Sequence, residues 1–151
     1  MAAAVILLLV IGGAAGAFPP MIGWAAISGD ISTIPVILFS IIFFWTPPHF
    51  WALSLFANED YKRAKIPMLP TVAGEKATKI QMLVYTIILA PLAMAPTFLG
   101  FSGWGYGLCA GLLGGFFIFT AIRVYLDKTL KSAKLMFGYS VFYLFALFLA
   151  L

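Results

Sequence analysis

The chain has 151 residues, of which 64% are hydrophobic and only 9% charged, with a formal net charge of +4 and a mean hydropathy of +1.08. Soluble globular domains carry charge on about a quarter of their residues, and disordered chains are far poorer in apolar side chains, so both classes are excluded. The basic excess fits the loops of a membrane protein better than a nucleic-acid surface, because long apolar stretches separate the charged blocks.

A hydrocarbon layer about 30 Å thick takes about 20 residues of helix to cross. Five stretches approach or exceed that length: residues 2–28, 34–56, 77–99, 103–125 and 135–151. They are continuously apolar rather than alternating, and a barrel strand needs only about 10 residues. The expected fold is therefore all-α, one polytopic transmembrane bundle of five helices over residues 1–151. The first stretch lacks the positively charged start of a signal peptide and reads as a retained helix. Its Gly12, Gly13 and Gly16 offer a small-residue face for close helix packing. Pro19 and Pro20 in the first stretch, Pro47 and Pro48 in the second, and Pro91 and Pro96 in the third each remove a backbone donor and predict kinks. Cys109 is the only cysteine, which excludes an intrachain disulfide or a CxxC site.

Charge orients these helices. Eight of the 14 charged side chains fall between Glu59 and Lys79, five between Arg123 and Lys134, and Asp30 stands alone. By the positive-inside rule the connection over residues 58–76 and the one after Arg123 face the cytoplasm or its equivalent, and Leu151 ends outside.

The 58–76 connection, NEDYKRAKIPMLPTVAGEK, is the longest polar segment and interleaves three acids with its bases. It reads either as a solvated loop or as a phosphate site. Glu59 and Asp60, at the membrane exit of the second helix, can share Mg²⁺ with substrate phosphates, while Lys62, Arg63 and Lys65 can hold the same phosphates directly. The block WTPPHFWALSLF, Trp45 to Phe56, leads into that loop and contains His49, the only histidine. An ionisable residue inside a membrane segment is a functional candidate; the alternative is a neutral imidazole bonded to a carbonyl freed by Pro47 or Pro48. Trp45, Phe50, Trp51 and Phe56 read as an interfacial belt or as a π-rich wall able to stabilise a carbocation.

Three blocks together carry a resemblance: GGAAGAFPPMIGWAA (Gly12 to Ala26), WTPPHFWALSLF and DYKRAKIPMLPTVAG (Asp60 to Gly74). In order and spacing they resemble the haem O synthase (protohaem IX farnesyltransferase) family of the intramembrane, UbiA-type prenyltransferases, from about Val10 to the C-terminus. That resemblance implies the last five helices of a nine-helix fold, with an active site opening to the cytoplasmic side of a bacterial plasma membrane or the matrix side of a mitochondrial inner membrane. It implies transfer of the farnesyl group of farnesyl diphosphate to a vinyl group of haem B, with Mg²⁺ bridging the diphosphate to two polar motifs. On this resemblance Asp60 takes the second motif's metal or diphosphate role, Tyr61 lies beside it, and Lys62 and Arg63 contact phosphate. Trp45 and Trp51 line the substrate region, and His49 positions haem or its propionates, or ligates the iron.

Two departures accompany the resemblance. The family's first polar motif, an Asn and an Asp four residues apart, has no counterpart here, and residues 1–9 replace a polar approach with MAAAVILLL. The expectation is a truncated or two-piece enzyme whose N-terminal half comes from elsewhere. A non-catalytic membrane fragment that binds haem or a partner half is the alternative, and a small transporter a third reading with little beyond His49 in its favour.

Overall fold

The computed structural model describes residues 11–127, 129 and 131–151. Its elements are all helical: α1 (Pro19–Ser28), α2 (Thr33–Phe56), α3 (Asn58–Arg63), α4 (Leu69–Ala73), α5 (Glu75–Phe98), α6 (Trp104–Leu126) and α7 (Lys131–Ala150). Among the described residues, four helices are long and apolar enough to cross a membrane: α2, α5, α6 and α7. Their bounds follow the expected spans closely, and the chain is an integral membrane protein.

The first expected span differs. Residues 11–17 are helical, Phe18 interrupts them, and α1 follows with no buried residue. Pro19 and Pro20 lack N–H groups, so two helical bonds cannot form where the two pieces meet. Gly29, left-handed at φ 72°, then ends α1 by donating its N–H to the Ala25 carbonyl. The 2–10 part of that span, and the divergent residues 1–9, lie outside the described residues. Inside α2 and α5 the outcome is the opposite: both helices run on through Pro47 and Pro48 and through Pro91 and Pro96. An isolated proline in mid-helix costs about 3 kcal/mol or more, so packing by neighbours has to hold these turns.

The four long helices close into a ring in which each packs on two others: α2 on α5, α5 on α6, α6 on α7, and α7 back on α2. Chain direction makes every adjacent pair antiparallel. At the centre lie Ile41, Trp51, Leu55, Met82, Leu89, Phe117, Met136 and Tyr143, all buried. The α5–α6 seam is made by small residues: a Cβ on Gly114 would stand 3.1 Å from the Ala90 Cβ, and one on Gly107 only 2.8 Å from the Thr97 hydroxyl. Backbones approach closely there because nothing projects between them. The Tyr106 hydroxyl donates across this seam to the Ala93 carbonyl at 2.8 Å. Where residues 11–17 meet α2, Gly13 plays the same part against Thr46.

Among the described residues, eight Lys and Arg side chains lie at one end of the ring, in or beside the α2–α5 and α6–α7 connections. Two details there were not legible in composition. The 58–76 segment is not simply a solvated loop: it forms α3 and α4, and Leu69 and Pro70 of α4 are buried. Helix α7 begins four residues earlier than the apolar run, because Asp127 caps it. One carboxylate oxygen accepts from the Thr129 N–H and hydroxyl, and the other from the Ser132 N–H and hydroxyl, at 2.7 to 3.0 Å. Lys79 at the start of α5 donates to the Asp127 carbonyl at 2.7 Å, tying the two connections together.

Candidate functional site

His49 sits in α2 seven residues before its end, about 10 Å along the helix from Phe56. Its ring is stacked between two others: Trp45, one turn earlier, at 4.4 Å and 20°, and Phe137 of α7 at 4.7 Å and 23°. Phe50 meets its edge at 5.4 Å. The partner of Nδ1 is the hydroxyl of Ser140 on α7, 2.7 Å away, and not a carbonyl freed by the prolines. Trp45 reaches the same residue, its indole N–H donating to the Ser140 carbonyl at 2.8 Å. A tryptophan and a histidine one turn apart on α2 thus grip one serine of α7. Beside Trp45 an apolar groove of about 390 Å³ runs between the helices, lined by Ile42, Trp45, Val141, Leu144, Phe145 and Phe148.

Trp51 is placed elsewhere. It lies about 160° around α2 from His49, is fully buried, and packs edge-on against Tyr85 of α5 at 5.3 Å. Its indole N–H has no hydrogen-bond partner among the described residues. The structure therefore brings Trp45 and His49 together and separates Trp51 from both.

At the charged end, α3 carries the other sequence candidates. Asp60, Lys62 and Arg63 are exposed, and Tyr61 is half-buried. Lys62 pairs with Glu59 at 2.9 Å, not with Asp60, and the ammonium holds the Glu59 carboxyl below its usual range. The Asp60 carboxylate accepts no hydrogen bond from the described residues and stands free beside this pair. Behind α3, Lys65 adopts a left-handed backbone at φ 54°, and with Lys62, Ile66, Pro67, Thr71 and Val72 it lines a hollow of about 250 Å³. Lys134 of α7 leans over the Phe56 ring at 5.8 Å, adding a cation to the same end.

Among the described residues no three His, Cys, Asp or Glu side chains gather into a metal site. Mg²⁺ keeps much of its shell as water and phosphate oxygen and needs only one or two carboxylates, so a free, solvent-facing Asp60 flanked by cations fits one share of such a site. Sequence reasoning missed Ser140 and Phe137. The available signal was a serine in the middle of an otherwise apolar membrane helix, the kind of residue that marks a helix–helix contact.

A polytopic helical bundle with a cation-rich exit and an aromatic–histidine cluster beneath it defines an intramembrane protein built around one end of its bundle. The UbiA prenyltransferase family matches residues 5–149, and the chain belongs to that family. It is 52% identical over 147 residues to protoheme IX farnesyltransferase 2 of Nitrobacter winogradskyi, covering 95% of this chain and 47% of that protein. It is 53% identical over 148 residues to protoheme IX farnesyltransferase of Erythrobacter litoralis, covering 95% and 48% respectively. With the enzyme of that name from Novosphingobium aromaticivorans it shares 52% over 145 residues, 93% of this chain and 48% of the relative. The chain thus spans about half the length of the curated relatives it matches. No solved structure matches it.

Proposed function

We propose that this chain forms the C-terminal half of a haem-modifying prenyltransferase, which joins the farnesyl group of farnesyl diphosphate to a vinyl group of haem B to give haem O. The observation that carries this reading is an identity above 50% to protoheme IX farnesyltransferases along nearly the whole chain, with His49 and Asp60 both inside the matched region.

In the reaction the allylic C–O bond of the diphosphate ionises, the vinyl group attacks the farnesyl carbocation, and water adds to the cation left on the carbon beside the porphyrin ring, with loss of a proton. The largest electrostatic demand is the charge gathering on the leaving diphosphate. Lys62, Arg63 and Lys65 supply cations at the α2 exit, and Tyr61 borders them. Asp60 would hold Mg²⁺, which when bound neutralises diphosphate oxygens. Trp45 offers its ring face to cationic character, since cations are attracted to ring quadrupoles. Trp51 supports the wall behind α2 from within the core. His49 serves the haem.

The active end is cytoplasmic in a bacterial plasma membrane, or faces the matrix in a mitochondrial inner membrane, because the described basic side chains lie there. The family's first polar motif comes from a segment equivalent to the half of the relatives that this chain does not match. The test is mass spectrometry of haems extracted from membranes holding this chain alone or together with an N-terminal half from the same family. Haem O from the pair supports the proposal. No haem O from either preparation, with the chain shown to be inserted, rejects it in favour of a fragment that binds without turnover.

A further inference from the structure

The His49–Ser140 contact determines which ring nitrogen carries the proton. Ser140 makes two short contacts, one to His49 Nδ1 at 2.7 Å and one to the Phe137 carbonyl oxygen at 2.6 Å. Each distance is that of a hydrogen bond and requires a proton between the two heavy atoms. A carbonyl oxygen has none to give, so the single hydroxyl proton of Ser140 lies on the Phe137 contact. The proton in the other contact is then on Nδ1: His49 donates to Ser140. In a neutral imidazole, Nε2 is left with the lone pair.

The rest of the cluster holds that arrangement in place. Trp45 and Phe137 stack on both faces of the ring, which resists its turning over. The Trp45 N–H bond to the Ser140 carbonyl fixes the serine from the same helix that carries the histidine. Nε2 has no hydrogen-bond partner among the described residues, and the ring is only part-buried. Such a nitrogen donates an electron pair and has no proton to offer an acceptor. It repels a haem propionate, which is itself an acceptor, and it suits a Lewis acid.

The geometry points to Ser140 as a positioning residue that locks His49 in the Nδ1–H form and so presents Nε2 as an axial ligand to the iron of the haem substrate. This rests on the haem prenyltransferase reading and deepens it, choosing iron ligation over propionate contact. Metal-binding histidines elsewhere have the other ring nitrogen tied in the same manner, and loss of that tie weakens metal affinity about ten- to a hundredfold.

Because His49 is the only histidine, the test needs no assignment. The chain is prepared in lipid nanodiscs without a polyhistidine tag and with ¹⁵N-histidine, and the pattern of couplings to the two ring carbon-bound protons tells Nδ1 from Nε2. The wild type is expected to show the proton on Nδ1. Ser140→Thr keeps it there, and Ser140→Ala gives a mixture of the two forms. Addition of zinc protoporphyrin IX, a diamagnetic probe, shifts the wild-type Nε2 signal, with affinity about ten- to a hundredfold lower in Ser140→Ala.

A wild-type proton on Nε2, or a porphyrin that leaves Nε2 unmoved, overturns the proposal; these two spectra decide it even where Ser140→Ala fails to fold. Haem O formed by the paired halves together with a proton on Nε2 sinks this inference alone. Porphyrin on Nε2 without haem O sinks the enzymatic reading alone.

Discussion

Two seams of the same four-helix ring are built on opposite plans. Between α5 and α6 the backbones nearly touch, with Gly107 and Gly114 facing Thr97 and Ala90, and nothing at the contact carries chemistry. Between α2 and α7 the gap is filled by large rings, and one serine is held by a tryptophan and a histidine. The first arrangement leaves no room for change, whereas the second has groups with unused bonding capacity. Where a bundle is packed by its backbone it is a scaffold, and where it is packed by polar and aromatic side chains it can also host a site.

The most severe way to break this contrast is on the α5–α6 seam. Gly114→Leu would set its Cβ 3.1 Å from the Ala90 Cβ and 3.3 Å from its Cα, and backbone cannot retreat as a flexible side chain would. The expected cost is about 1 to 3 kcal/mol, seen as aggregation in detergent on size-exclusion chromatography. Gly115→Leu, one residue on, meets nothing within 4 Å and should elute as the wild type does. Equal behaviour of the two variants would show that close approach is not what holds the seam.

The α2–α7 seam and the charged end should respond in function and not in folding. Asp60→Asn, with this chain paired with an N-terminal half from the same family as proposed above, is expected to lower turnover by about 10²- to 10³-fold, with part of the loss recovered at higher Mg²⁺ and no change in elution. Unchanged kinetics would remove Asp60 from the site. His49→Ala is expected to weaken haem retention about ten- to a hundredfold while binding of farnesyl diphosphate persists, and the reverse pattern would reject the role given to it.

The smallest effect is expected at Asp127, the counterpart of Asp60 at the same end. Asp60 has no partner among the described residues, whereas Asp127 accepts four hydrogen bonds, from Ser132 and Thr129, that hold its carboxyl well below the usual carboxylate range. A carboxyl depressed by folding stabilises the fold above its unfolded value, about 3.9, and loses that contribution as pH falls toward the folded value. Wild type should therefore melt slightly higher than Asp127→Ala from pH 5 to 7, and the difference should shrink as pH drops below about 4. A gap in melting temperature that does not depend on pH would mean that the cap works without its charge.

What the sequence displays about this molecule depends on the range of the interaction. The spans α2, α5, α6 and α7 are visible because each is a long run of apolar side chains, and the common end of their charged loops is visible because charge avoids the bilayer. The direction in which Trp51 points is not, since α2 is apolar on every side and no periodic stripe marks its inner face. The start of α7 is hidden for a different reason: Asp127 acts from before the helix, across residues that look like loop. His49 and Asp60 are legible as candidates by residue type and motif. Ser140 as the partner of His49 is not, because 91 residues separate the two and only the closed ring brings α7 back to α2.

The burial of Leu69 and Pro70 has a consequence for the charged end. Those two side chains pin the α2–α5 connection near its middle, which divides one long excursion into two short ones. Each halving of a flexible loop lowers its closure entropy cost by only about 0.6 kcal/mol. The larger gain is geometric, because α3 can then move only within a short tether from α2 to the anchored turn. The cations of α3 are thus kept close to the membrane exit before any substrate arrives, so less ordering remains to be done at the moment of binding.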